Sequence, residues 1–475
     1  MKEFLSEVLS QIAENLDLTD TQEKTIKKAY ERVADWLNEK DSCLSAYDVE
    51  IYPQGSMKIG TVVKPLKTDD YDVDMVCVLR KNSNSLSAGR VKRLVGKRLM
   101  ESPVYSEMLQ AEKKRCWTLN YSENLQFHMD ILPAIPAGAE EIFATNKEQH
   151  EYEFFSTNPH GYARWFRGRM LQQSGVFARE SIEPIPDFPR KTPLQKVIQL
   201  LKRHRDVMFI DEQDDAPASI IITTLVAQIY ARESDLLKLF ENVISRIGEI
   251  KKKGDEYWVA NPVNPDENFA EKWTNNPAKK NNYFKWVQKI NEDFEKLMAS
   301  STKEELLTIL YNMFGQGIVD RVNTDLGGYD VVYNKMASEP REIVSDNVRR
   351  ALMVPHRQKT TWKLPLWSLV KIEATIKDGT GEYKIFSQEP VGKEKVITFK
   401  AIHGVKKPYK VIWHVTNTGL EAMQNNDLRG TFYGGQESDI WTEHTKYRGI
   451  HFVQCFIIKQ GRCYAKSKEF IVNIQ

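Results

Sequence analysis

The chain has 475 residues, 41% hydrophobic and 28% charged, with a net charge of +2. This suggests two to three domains with the balance of a soluble globular protein, and it excludes a chain that is polybasic throughout, so any basic patch must be local. Five scattered cysteines without a Cys-x-x-Cys pair exclude a disulfide framework and a zinc module, and the lack of an apolar signal core or of about 18 consecutive apolar residues leads to the expectation of a cytoplasmic protein with no membrane span.

Residues 1–40 read as two amphipathic helices. Phe4, Leu5, Val8, Leu9 and Ile12 recur at helical spacing, and Thr19 or Asp20 can cap a second helix carrying Ile26, Tyr30, Val33, Ala34 and Leu37. Both are expected to pack behind a sheet. Tyr52-Pro-Gln-Gly-Ser-Met-Lys-Ile-Gly-Thr61 then brings Gly55 and Ser56 into a turn-like setting. Glycine there lets backbone N–H groups approach a phosphate, and the serine hydroxyl adds a donor.

Tyr71-Asp-Val-Asp-Met-Val-Cys-Val-Leu79 alternates and reads as a strand. The side-chain period of two puts Asp72 and Asp74 on one face, with Val73 and Met75 on the other. Two carboxylates on one face repel and cost desolvation unless a cation sits between them, and Mg²⁺ is the hard ion that joins carboxylates to substrate phosphates. Arg80 to Arg98 and Lys113-Lys-Arg115 are basic, read either as a solvated face or as a surface for phosphates or an activator.

Leu125-Gln-Phe-His-Met-Asp-Ile-Leu132 is a second alternating run, with Gln126, His128 and Asp130 on one face and Pro133 ending it. Beside the first strand, Asp130 joins Asp72 and Asp74. Three carboxylates can hold two metal ions about 3.5–4 Å apart, the clamp for in-line nucleotidyl transfer. Gly-Ser or Asp-x-Asp alone fits an exposed turn or strand face. The three pieces in this order are much rarer.

Residues 157–169 hold an Asn158-Pro159 turn and a helix. Residues 192–210 form a helix with Thr192 as cap, Pro193 in first position, and Leu194, Val197, Ile198, Leu201 and Met208 as the apolar face. Lys202, Arg203, His204 and Arg205 follow at its edge, with solvation as the plain reading, and simple packing or exposure for His204. Pro217 to Leu225 starts another helix with Ser219 in its first turn, where free N–H groups favour an anion. Residues 258–345 are expected to be largely helical, with Asp320 to Lys335, including Gly327-Gly328, as a closing loop. Residues 355–475 change to short alternating runs such as Leu369–Ile376 and Lys395–Phe399, an all-β module.

Gln54-Gly55-Ser56 through Asp74, with Asp130, resembles the nucleotidyltransferase core of the cGAS/DncV-like family, the CD-NTases or SMODS. These are bacterial relatives of cyclic GMP–AMP synthase and oligoadenylate synthetase. The likeness extends over nearly the whole chain. Trp413–Gly419, Leu428–Gly430, Glu443–His451 and Phe470–Ile474 resemble the AGS-C sensor domain fused to such synthetases.

The resemblance implies an α+β fold: N-terminal helices and a polymerase β-like core in 1–190, a helical substrate-binding lobe in 191–345, and the sensor-like domain in 355–475. It implies Asp72, Asp74 and Asp130 as catalytic metal ligands with two Mg²⁺, and Gln54, Gly55 and Ser56 as nucleotide-binding. Lys202, matched to a Leu-Leu-Lys-x-x-Arg-Asp pattern, falls on the donor triphosphate, and Ser219 on a phosphate. ATP and other NTPs would be joined into a cyclic di- or trinucleotide, read by a downstream effector in antiphage defence. Asn417, Arg429, Glu443, Tyr447 and His451 form a candidate site for a small ligand, or else polar pairs that pin the β turns. Two rivals stay open: an enzyme extending RNA or making linear oligonucleotides, and a non-catalytic nucleotide-binding module, which would normally have lost a carboxylate.

Overall fold

Alternation places Tyr71–Leu79 in a strand, and that strand lies inside a six-stranded sheet. The computed structural model describes residues 2–66, 71–121, 127–138, 140–170, 182–186, 188, 191–300, 302–323, 356–358, 360–362, 368–378, 381–425, 427–436 and 438–475. The sheet strands are β1 Val49–Gln54, β2 Tyr71–Leu79, β3 Trp117–Asn120, β4 Phe127–Pro136, β5 Ile142–Glu148 and β6 Glu151–Thr157. Their order is β1-β2-β4-β5-β6, with β3 also on β4. β1 is antiparallel to β2, and β2 is parallel to β4.

The helices are α1 Lys2–Asn15, α2 Asp20–Leu37, α3 Gly55–Ile59, α4 Ala88–Met100, α5 Pro103–Met108, α6 Pro159–Met170, α7 Pro193–Met208, α8 Ser219–Ile229, α9 Leu236–Arg246, α10 Lys272–Asn275, α11 Pro277–Ala299, α12 Lys303–Phe314 and α13 Gln316–Asn323. Val73, Met75, Cys77, Phe127, Met129 and Ile131 share a core with Tyr30 and Leu37 of α2 and Val91 and Val95 of α4. On the opposite face Val76, Val78, Leu132 and Ala134 pack with Tyr52 and Ile142. That second face carries Asp72, Asp74 and Asp130, as strand alternation requires.

Two sequence expectations need correction here. Pro133 does not end its strand. It lies inside β4, opposite Cys77 of β2, at the gap where β3 stops pairing at Ile131 and β5 starts at Ala134. No β3 or β5 partner is registered to Pro133, so its missing N–H interrupts neither pairing. Leu125 and Gln126 lie outside the described residues. The first helix is not behind the sheet. Leu5, Val8, Leu9 and Ile12 of α1 join the core of the helical lobe with α6 to α9 and α11 to α13, whereas α2 packs on the sheet. α1 and α2 thus bury their apolar stripes in two different cores.

In the helical lobe α7 starts as read, with Thr192 and Gln195 closing a capping box and Pro193 in the first turn. The solvated edge does not hold: Lys202, Arg203 and His204 are 6%, 1% and 2% exposed. α7 packs against α1, α8, α9 and α12, and its polar side chains turn inward to partners. Arg203 donates to the Lys64 carbonyl. His204 meets Asp293 at 3.1 Å and takes the Trp286 indole N–H at 3.1 Å. The 258–345 region includes short strand pairs, β7 Lys252–Lys253 with β8 Glu256–Tyr257 just before it and β9 Ala260–Asn261 with β10 Asn264–Asn268 within it, besides its helices. Of the expected closing loop, Asp320–Asn323 belong to α13, and 324–335 lie outside the described residues.

The C-terminal strands run from β11 Ser368–Asp378 to β20 Phe470–Ile474, and include β14 Val396–Ile402, β15 Lys410–Thr416, β17 Ile440–His444 and β18 Gly449–Lys459. They carry a separate core around Phe399, Trp413, Val453 and Phe470. A short helix, Leu420–Gln424, interrupts the otherwise all-β module. Lys466 meets Glu7 of α1 at 3.1 Å, an ion pair joining this module to the helical lobe. The five cysteines are free thiols. Among the described residues no helix is long and apolar enough to cross a membrane.

Candidate active site

β1 delivers the chain to the site. Its last residue, Gln54, is the register partner of Asp74. The backbone then turns at Gly55 with φ of +62° and enters α3. A Cβ at Gly55 would lie 3.0 Å from Asp74 Cγ and closer still to Oδ2. Both the positive φ and the contact demand glycine. Ser56 follows, half-buried, its carbonyl accepting from the Thr61 N–H at 2.9 Å.

On the neighbouring strand Asp130 is the register partner of Asp74, and His128 that of Asp72. Thr118, the partner of Asp130 on β3, donates its hydroxyl to Asp130 Oδ1. Lys113 Nζ stands 3.6 Å from the same oxygen. Burial, reinforced by the charges of Asp72 and Asp130, pushes the Asp74 carboxyl up to about 7, with Lys202 pulling the other way. The local negative charge is in surplus.

The basic side of the site comes from α7 and α8. Lys202 Nζ donates to the Thr61 carbonyl at 3.1 Å and hydroxyl at 3.2 Å, just past α3. Burial first, and Arg205 and Lys191 with it, push the Lys202 ammonium down to about 7, while Asp206 and Asp74 act against the shift. Arg205 donates to Ser219 Oγ at 2.8 Å and to the Pro217 carbonyl at 2.9 Å. α8 starts at Ser219 rather than at Pro217, which keeps Ser219 in the first turn as read from the sequence. The structure therefore links Gln54, Gly55, Asp74, Asp130, Lys202 and Ser219 through register pairs, contacts and charge.

Among the described residues no group of three or more His, Cys, Asp or Glu side chains stands ready to hold a metal ion. Like charges do not converge without a counter-ion, and Asp130 is turned toward Thr118 and Lys113. The residues still fit a divalent cation. They offer carboxylate oxygens on one sheet face, and the raised Asp74 carboxyl marks the electrostatic deficit that a hard cation relieves.

Sequence reading gave no role at the site to Thr118, Thr61 or Arg205, and took Lys113 only as part of a basic surface. Thr118 has one usable signal, its place in a short apolar run, but its pairing opposite Asp130 is a tertiary fact. Part of the basic stretch 80–98 is structural, while Lys81, Arg90, Arg93 and Lys97 are exposed. Lys92 is fully buried and donates to the carbonyls of Lys113 and Lys114 at 2.5 and 2.8 Å. Arg98 is buried over the Trp36 ring, 3.5 Å from its centroid. Arg80 pairs with Glu50.

The C-terminal cluster does assemble. Asn417, Arg429, Glu443, Tyr447 and His451 all line one cavity with about 430 Å³ of empty space, part of it open to solvent. Several of these groups are engaged internally. Asn417 accepts from the Arg429 N–H at 2.5 Å and donates to the Asp427 carbonyl at 2.7 Å. The Tyr447 hydroxyl donates to Asp427 at 2.8 Å, and His451 Nε2 to the Tyr447 carbonyl at 2.8 Å. Arg429 and Glu443 form an ion pair at 3.1 Å.

A carboxylate-bearing mixed sheet, a Gly-Ser turn and a helical lobe with an inward lysine define a nucleotidyltransferase of polymerase β-like build. Residues 4–169 match the model of the Second Messenger Oligonucleotide or Dinucleotide Synthetase (SMODS) domain. Residues 352–475 match that of the Adenylyl/Guanylyl and SMODS C-terminal sensor domain. The chain is 30% identical over 324 residues to a c-di-GMP synthase of Roseivirga ehrenbergii, a match covering 66% of this chain and 85% of the relative. It is 26% identical over 353 residues to the cyclic dinucleotide synthase CdnG of Bradyrhizobium diazoefficiens, covering 67% and 82%. The fold is that of the solved CdnG in complex with GTP, with a TM-score of 0.55 at 21% identity over 67% of this chain and 97% of that one. The chain belongs to the SMODS family of CD-NTases and carries a C-terminal sensor domain. It is a nucleotidyltransferase of the kind that builds cyclic oligonucleotides, a family that uses divalent metal ions.

Proposed function

We propose that this enzyme joins NTPs, GTP among them, into a cyclic di- or trinucleotide second messenger, with Asp72, Asp74 and Asp130 holding two Mg²⁺. The observation that carries the reading is the surplus of negative charge on one sheet face, pressed against a turn that only glycine can make. The name of one relative, c-di-GMP synthase, supports guanine as a base. Bound metal ions would lower the pKa of the attacking ribose hydroxyl and neutralise the departing pyrophosphate.

The chain's own residues do the positioning. Gln54, Gly55 and Ser56 cradle phosphates at the mouth of α3. Thr118 orients Asp130 by its hydroxyl. Lys202 places a cation behind the carboxylates and beside the phosphate turn, and Arg205 holds Ser219 in the first turn of α8. We retain the division at 1–190, 191–345 and 355–475, a cytoplasmic setting, a downstream effector that reads the product, and a role in antiphage defence as parts of this proposal.

The test is incubation with each labelled NTP and with mixtures, in Mg²⁺, followed by phosphatase. A phosphatase-resistant product identified by mass spectrometry as cyclic supports the reading. Linear, phosphatase-sensitive chains would favour the RNA-extending rival, and no product with any NTP the binding-module rival.

A further inference from the structure

We propose that the cavity in the C-terminal domain binds the guanine base of a guanine nucleotide, with Glu443 and Arg429 reading the base edge. The inference stands apart from the catalytic reading, because it rests on the C-terminal strands alone. The cavity has an apolar floor, made by Ile397, Phe399, Val415, Val453, Val472 and Ile474. A floor of this kind takes a flat, weakly solvated ring.

The rim decides which ring. Asn417, Tyr447 and His451 hold one another and Asp427 in place, so they shape the pocket. Two capacities are left over. Glu443 accepts one bond at each oxygen, from the Trp441 indole at 3.0 Å and from Arg429 Nη2 at 3.1 Å. A carboxylate has about four lone-pair sites, so each oxygen retains one. Beside it, Arg429 Nε is buried and has no hydrogen-bond partner. A buried donor without a partner costs free energy and calls for an acceptor.

The complement is a planar edge with two adjacent N–H donors next to a carbonyl acceptor. Guanine presents that order, its amino group and then N1–H followed by O6. The donors suit the two oxygens of Glu443 in the parallel mode carboxylates use for paired N–H groups, and O6 suits the guanidinium. Adenine offers a single amino donor beside a ring acceptor and leaves Glu443 half used. Lys446, 65% exposed at the mouth, supplies a cation for phosphate.

Hydrogen exchange of the full-length protein without divalent metal, with GMP, cyclic di-GMP or AMP, tests this. GMP or cyclic di-GMP should slow exchange in 429–436 and 440–453, and AMP should not. The more potent of the two distinguishes sensing of a mononucleotide from sensing of a cyclic product. Glu443→Gln should weaken the effect roughly tenfold or more. If that variant unfolds the domain, the contrast between guanine and adenine in the unsubstituted chain decides alone. Equal protection by AMP, protection confined to residues before 324, or none at millimolar ligand would overturn the proposal.

Discussion

The carboxylate face of the sheet and the polar cluster of the C-terminal strands both draw on neighbouring strands, yet the fold treats their charges in opposite ways. Asp74 sits beside Asp72 and Asp130 with its carboxyl pushed up to about 7. In the C-terminal cluster each charge has an opposite: Arg429 with Glu443 at 3.1 Å, and Lys446 with Asp427 at 3.1 Å. The hydrogen bonds of Tyr447 and Lys446 hold the Asp427 carboxyl below the usual carboxylate range. Surplus charge destabilises a fold, so a chain that carries it depends on something from outside. A balanced cluster supports itself, and only its leftover valences point to a ligand.

The largest expected effect follows from that surplus. Asp74→Asn and Asp72→Asn should each cut synthesis by about 10²–10³ or more, the scale of losing one transition-state stabilising group. Asp74→Asn should also leave the melting temperature unchanged or raise it, since it removes a buried like charge. Product at the unsubstituted rate, or a clear loss of stability, would break the contrast with the C-terminal cluster. Gly55→Ala comes next. It forces a left-handed residue against the Asp74 carboxylate, so it should cost about 1–2 kcal/mol from backbone strain alone, seen by thermal denaturation. Synthesis should fall with it.

The strand faces were legible in the sequence because a side-chain period of two is a local property. Asp72, Asp74 and Asp130 share a face as the alternation requires. The α7 cap was legible for the same reason, since Thr192 and Pro193 are neighbours in the chain. What failed depended on distant partners. Lys202, Arg203 and His204 look like a solvated run until α1, α8, α9 and α12 close around them. Pro133 looks like a strand end until β3 and β5 leave a gap at its position. The five C-terminal residues were brought to one cavity, but the unused Nε of Arg429 and the valences of Glu443 needed coordinates.

Lys202→Ala sharpens the comparison from the basic side. Lys202 is the cation whose charge partly offsets Asp74. A charge-assisted contact contributes about 1.5–3 kcal/mol, so KM for NTP should rise roughly ten- to a hundredfold. Steady-state kinetics on folded variant protein measures it. An unchanged KM would mean that Lys202 serves only to anchor Thr61.

The smallest effect tests whether the C-terminal cluster is truly balanced. His451 is 8% exposed, and its Nε2 donates to the Tyr447 carbonyl. Burial holds its pKa below that of a free histidine, and Arg429 acts the same way, while the Tyr447 carbonyl opposes the shift. Arg429, Glu443, His444, Lys446 and Tyr447 line the cavity with it, and Asp427 holds Tyr447 and Lys446. The balance therefore holds only while His451 is neutral. Below about pH 6.5 the unfolded chain takes up a proton that the folded domain refuses, so the unfolded state binds more protons and stability falls with pH. Above that pH both states are neutral and the effect vanishes. Melting of the C-terminal domain should thus drop between pH 7.5 and 5.5, and His451→Gln, which keeps a donor for the Tyr447 carbonyl, should flatten the drop. Equal slopes for the two proteins would show that the cluster tolerates a further positive charge, and the contrast with the sheet carboxylates would then lie in burial rather than in balance.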